Sequence, residues 1–163
     1  MNFSIQPHQL VAHWVPGLIL LVFIRVVGQN FEGVVKIPLP SGEAARLFTY
    51  SVLAFALGQL LDAIRNLVEH ILDRWDKVNW DFFFEGPQEK IERLDRHYFT
   101  YYVFDANLTI ACTCFMFAEL LLRDWVWFAV PLLPTYFFAR DGGSLRKEIA
   151  KHTRSFQVKD KEA

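Results

Sequence analysis

Four apolar segments decide what this chain can become, because each must be covered by a core or by lipid. The first, Leu10–Val27 (LVAHWVPGLILLVFIRVV), has no ionisable residue except His13 and Arg25 and is long enough to span a bilayer. Its flanks argue for a retained span rather than a removable signal peptide: the preceding MNFSIQPHQ has no Lys or Arg, and Gly28-Gln29-Asn30 is a poor cleavage site. The second segment begins at Leu47 (LFTYSVLAFALGQLL) and runs without a breaker into DAIRNLVEHILDRW. The third covers Tyr98–Leu122 and the fourth Trp125–Ala139 (WVWFAVPLLPTYFFA). With Pro131 and Pro134 inside it, the fourth rises only about 22 Å as a regular helix, so it is expected to be kinked or partly interfacial.

In hydrocarbon a backbone has to satisfy its own hydrogen bonds, which leaves helices for spans of this kind. The predicted fold is therefore all-α: a polytopic integral membrane protein with about four transmembrane helices and a cytoplasmic helical hairpin between spans two and three. Residues 1–139 form the membrane domain, including the hairpin 62–97, and residues 140–163 a basic cytoplasmic tail. The apolar share, 53% against 21% charged, exceeds that of an average soluble domain. A formal charge of −1 supplies neither the basic excess that favours nucleic acid nor the acidic excess that favours disorder.

Orientation follows from the distribution of charge, because Lys and Arg are retained on the cytoplasmic side. The stretch from Asp62 to His97 carries six of them and the tail after Ala139 seven, against Lys36, Arg46 and Arg123 in the other connections. That bias places both termini and the hairpin in the cytoplasm. Compact size and the lack of a targeting segment point to a bacterial inner membrane. Trp14, Trp75, Trp80, Trp125 and Trp127 fall near predicted span ends, where the headgroup zone favours them. Cys112 and Cys114 are too close in one helix for an ordinary disulfide and lack partners at metal-ligand spacing. They read as packing residues, and neither a metal site nor a cofactor is expected.

Span two is predicted to continue as an amphipathic helix, with Leu60, Ile64, Leu67, Val68, Ile71, Leu72 and Trp75 on one face. Opposite them Asp62, Arg65, Glu69 and Asp73, spaced 3, 4 and 4, form a charged stripe. It reads as a solvated face with intrahelical Asp62–Arg65 and Arg65–Glu69 pairs. Glu85-Gly86-Pro87 is a turn, with the proline suited to a first helical position, and QEKIERLDRHYFTYYVF resumes helical spacing. Between the two helices, VNWDFFFEG is aromatic enough to lie on the bilayer surface or to contact a partner. In the tail, Asp141-Gly142-Gly143 reads as a flexible break before a short helix capped by Ser144.

Ionisable groups inside spans need a partner, a cavity or a route to the interface. Asp105, Thr109, Cys112, Met116 and Glu119, separated by 4, 3, 4 and 3, form one stripe on span three that should face protein or water. By depth along their helices, His13, Gln59, Asp62, Asp105 and Asn107 are expected to form a polar cluster open to the cytoplasm. Such a cluster fits a proton or ion pathway, a small pocket or an interhelical hydrogen-bonded lock. Arg25 and Glu119 both fall near the outer surface, where they are expected to pair.

The segment Arg65-Asn66-Leu67-Val68-Glu69-His70 has the form R-N-x-x-x-H, which resembles the signature of HEPN ribonucleases. The resemblance implies that Arg65 and His70 are catalytic in RNA cleavage, usually across a dimer interface, with Asn66 positioning them. Chemically, the cation would stabilise charge on the phosphorane and the imidazole would move a proton. The letters Ala63, Arg65, Asn66 and Glu69 are also similar to the glutathione-dependent MAPEG enzymes, but a hydrophobic span follows the motif there and ILDRWDKVNW follows it here. No P-loop, nucleophile elbow, HExxH or Rossmann fingerprint is present.

The leading expectation is a non-enzymatic multi-pass protein, an oligomeric channel-like or membrane-perturbing component that responds to a cytoplasmic signal or partner. Its expected partners are the bilayer, further copies of itself and a cytoplasmic protein on the hairpin, with nucleic acid disfavoured. The alternatives are a membrane-anchored enzyme using the HEPN-like residues and a structural subunit of a larger membrane complex.

Overall fold

A computed structural model describes residues 7–30, 40–74 and 77–159, all in helices and connecting turns with no strand among them. Lys36, Trp75 and Lys161, used in the charge count and the tryptophan and helix patterns, lie outside the described residues. In chain order the helices are α1 (Pro7–Asn30), α2 (Glu43–Leu72), α3 (Phe82–Glu85), α4 (Gln88–Leu94), α5 (Thr100–Leu122), α6 (Trp125–Ala129) and α7 (Leu132–Lys159). A π-helical turn, Asp95–Phe99, joins α4 to α5. Among the described residues, three stretches are long and apolar enough to cross a membrane: Leu10–Gly28, Glu43–Leu72 and Gln88–Leu122.

α1 and α2 are antiparallel and cross where both are stripped of side chain. A Cβ placed on Gly17 would lie 1.8 Å from the Ala54 carbonyl oxygen, and one on Gly58 would lie 2.2 Å from the His13 carbonyl oxygen. Ala54 and Gly58 are four apart, the small-residue spacing that lets membrane helices approach backbone to backbone, and Gly17 meets them from α1. Pro16, fully buried beside this crossing, removes one rung of hydrogen bonding from α1 where α2 can support it. α5 is the central helix, in contact with α1, α2 and α7. The Phe23 and Phe115 rings stack at 4.2 Å between α1 and α5.

The polar stripe of α5 faces α7. Asp105, Cys112 and Glu119 are buried, Thr109 and Met116 half-buried, and the Thr135 hydroxyl of α7 lies 3.6 Å from Met116 Sδ. α5 ends at Arg123, whose φ of 60° turns the chain, the Asp124 amide bonding back to the Glu119 carbonyl at 3.0 Å. Asp124 then caps α6, accepting from the Trp127 amide at 3.2 Å.

Four expectations need correction. The fourth apolar segment breaks at the Val130-Pro131 turn, where its prolines place a kink, but it does not end a helix at Ala139: Leu132–Ala139 is only the start of α7, whose remainder is polar. Pro131 has no N–H with which to continue α6. Second, α7 runs unbroken through Gly142-Gly143, so the 139/140 boundary and the expected Ser144 cap fall inside a helix. Packing overrides the weak helix propensity of glycine, for Gly142 seats against Asp105 and the buried Ile149 and Ala150 pack with Val78, Tyr102 and Val103. Third, the aromatic hairpin segment folds inward. Val78 and Phe82 are buried, and Phe83 stacks among Trp80 and Phe99 with ring centroids 6.0 and 5.3 Å away. Val78, Trp80 and Phe83 of this segment pack on the core formed by Tyr102 and Val103 of α5 and Ile149 and Ala150 of α7. Pro87, for its part, precedes the first helical residue instead of occupying it.

Candidate functional site

The charged stripe of α2 is the framework of the site. Its 3, 4, 4 spacing keeps Asp62, Arg65, Glu69 and Asp73 on one face, and that face is turned to α5 and α7 instead of to solvent. Arg65 and Glu69 are each only 7% exposed, which overturns the reading of a solvated face. Asp62 pairs with Arg65 at 2.9 Å, as the spacing predicts. Glu69 is instead held by α7 and α5: Arg146 Nε donates to its Oε2 at 3.2 Å, and the Tyr102 hydroxyl donates to its Oε1. Arg146 also reaches Asp73, Nη2 to Oδ1 at 2.5 Å, and the Trp80 indole N–H donates to the other Asp73 oxygen at 2.8 Å. One buried guanidinium thus ties α7 to two turns of α2, while Trp80 ties in the hairpin.

Further bonds close the hairpin onto α7. The Asn79 amide donates to Thr153 Oγ1 at 3.3 Å, and Arg154 Nε donates to the Lys77 carbonyl at 3.1 Å. Tyr98 and His152 rings lie 5.5 Å apart. The π turn at Asp95–Phe99 shifts the register of the long helix so that Phe99 comes beneath Arg65, whose guanidinium carbon is 6.0 Å from the ring centre. A π turn widens a helix locally and recurs at functional positions.

Of the expected polar cluster, three members meet. Asp62 Oδ1 accepts from Asn107 Nδ2 at 3.3 Å and lies 3.7 Å from His13 Nδ1. Gln59 stays exposed. Asp105, two residues before Asn107 and so on the other side of α5, lies against Asp141 and Gly142 of α7. Arg25 and Glu119 do not pair: Arg25 is exposed on α1, and the buried Glu119 has neither carboxylate oxygen hydrogen-bonded.

Arg65, Asn66 and His70 line one cleft of about 360 Å³ together with Glu69, Asp73, Trp80 and Phe99. Asn66 Oδ1 accepts from Arg65 Nη2 at 3.2 Å, and His70 is exposed at the end of α2. The cleft can offer a planar aromatic wall, a cation already balanced by Asp62, and an imidazole open to solvent. A second cleft of about 380 Å³, lined by Lys77, Asn79, Asp81 and Arg154, adjoins it across Asp73 and Trp80.

Sequence reasoning missed Arg146, Tyr102, Trp80 and Thr153. The signal for Arg146 was present: Gly142, Arg146, Ile149 or Ala150, and Thr153 repeat at helical spacing, all buried, in a segment read as a broken tail. Comparison with protein-family models, with curated proteins and with solved structures finds no match for this chain.

Proposed function

We propose that this chain is a small multi-pass membrane protein that self-associates into a channel-like or membrane-perturbing assembly, controlled from the cytoplasm through the charged network at its hairpin end. The observation that carries the reading is Arg146, which neutralises Glu69 and Asp73 across the bundle at 3.2 and 2.5 Å. An ion pair buried between helices is a two-state element, since losing one partner leaves uncompensated charge and favours a rearranged packing. A signal that engages the hairpin pulls on Trp80 and thereby on the same Asp73. In this reading the basic residues of hairpin and tail face the cytoplasm, and α6 with the first turns of α7 completes a bent fourth crossing.

The test is the membrane potential of cells making wild-type protein or Arg146→Gln at matched inserted amounts, read with a potentiometric dye. The expected result is depolarisation that increases in the variant. If neither protein shifts the potential relative to empty cells, the reading is wrong.

The convergence of Arg65, Asn66 and His70 on one cleft favours a second reading, a membrane-anchored RNase resembling HEPN enzymes. For it, purified protein should cleave RNA, and His70→Ala should lower the rate about 100-fold through loss of proton transfer. Because His70 is exposed, the variant keeps its fold. Cleavage by the variant at the wild-type rate would remove this reading.

A further inference from the structure

Between α2 and α7 a second kind of opening exposes the side of α5, a lateral crevice of about 360 Å³. Ala106 and Ile110 of α5 and Phe138 and Ala139 of α7 give it a mostly apolar lining. Gly143 lowers the α7 wall: a Cβ placed there would meet nothing within 4 Å, so the chain leaves open space where a larger residue would fit. α7 runs antiparallel to α5, which puts the apolar part toward the membrane and Lys147, one turn beyond Gly143, at the hairpin end.

The charges at that end are unequal in availability. Arg65 and Arg146 also border the crevice, but Asp62 holds the first, and Glu69 and Asp73 hold the second. Lys147 is exposed and makes no ion pair among the described residues. An apolar trough parallel to the helix axes, ending in an unpaired ammonium at the edge of the apolar zone, matches one molecule in its polarity from end to end. We propose that the crevice holds one acyl chain of an anionic phospholipid from the leaflet at the hairpin end, with the headgroup phosphate on Lys147. The chain fills the space beside Gly143, and the ammonium favours a headgroup of net negative charge over a zwitterionic one.

The test is native mass spectrometry of the full chain in a non-ionic detergent, titrated separately with dioleoylphosphatidylglycerol, dioleoylphosphatidylcholine and glycerol 3-phosphate. Expected is a 1:1 adduct with phosphatidylglycerol, favoured over phosphatidylcholine by about five-fold, the effect of one basic residue near an anionic surface. Lys147→Gln should abolish that preference, Gly143→Leu should remove both lipid adducts, and glycerol 3-phosphate should not bind. Equal binding of the two lipids by wild type would overturn the proposal, as would an unchanged preference in Lys147→Gln. Binding of glycerol 3-phosphate as tight as that of the lipid would assign the site to free phosphate instead. Should Gly143→Leu fail to fold, the exposed Lys147→Gln decides alone.

Discussion

Arg146→Met is expected to destabilise the protein by about 3–5 kcal/mol, the cost of leaving a buried partner charge uncompensated. Two carboxylates lose their cation at once. Glu69 is 7% exposed and keeps as a hydrogen-bond donor the Tyr102 hydroxyl, with Arg65 nearby already paired to Asp62, while Asp73 keeps the Trp80 indole N–H and the Val78 amide. None of the remaining hydrogen-bond donors carries charge. The loss should appear as a lowered melting temperature in detergent and as early exposure of the hairpin, because Asp73 anchors Trp80 and the Val78 amide. Substituting an exposed cation of the same helix, such as Lys151, whose pair with Glu148 is 3.7 Å long and solvated, should cost less than about 1 kcal/mol. A similar loss from both substitutions would show that Arg146 is no more buried in solution than Lys151.

Gly58→Ala is expected to separate α1 from α2. The added methyl would sit 2.2 Å from the His13 carbonyl oxygen, a backbone atom that moves only if the whole helix moves. Overpacking of this kind costs about 1–3 kcal/mol and more where no side chain can yield. The effect propagates, since Asp62 is one turn from Gly58 and its 3.7 Å approach to His13 depends on the same crossing. Gly143→Ala is the matching control: nothing lies within 4 Å of its Cβ, so replacing glycine inside α7 should raise stability by about 0.5–1 kcal/mol. Unfolding of both variants in the same detergent gives the comparison, and a Gly58→Ala protein as stable as wild type would contradict the close crossing.

How far the sequence reached depends on whether a feature is local. The helical class, the continuation of span two to Leu72 and the turn at Arg123 follow from apolar length, periodicity and turn residues within a few positions of each other. The charged stripe of α2 was visible as a stripe, but its burial was not, because the residue that neutralises it lies 77 positions away in sequence. The packing of the segment from Val78 to Phe83 was hidden for the same reason: Phe99, Tyr102, Val103 and Ile149, which it packs against, lie on other helical segments. Gly142-Gly143 misled through propensity, which packing against Asp105 outweighs. Within the site, depth along a helix was legible and rotation about its axis was not. Asp105 and Asn107 share a depth but face opposite neighbours, and Gln59 shares it while facing away from both.

The proposed control point and the packing of α7 rest on one claim, that Arg146 closes the charged stripe of α2 across the bundle. A double-mutant cycle on Arg146→Met and Glu69→Gln, followed by unfolding in detergent, tests it most directly. If the pair is buried as described, the double variant is more stable than Arg146→Met alone, because removing the stranded charge restores part of the loss. Losses that simply add, with the double variant the least stable of the three, would contradict the account.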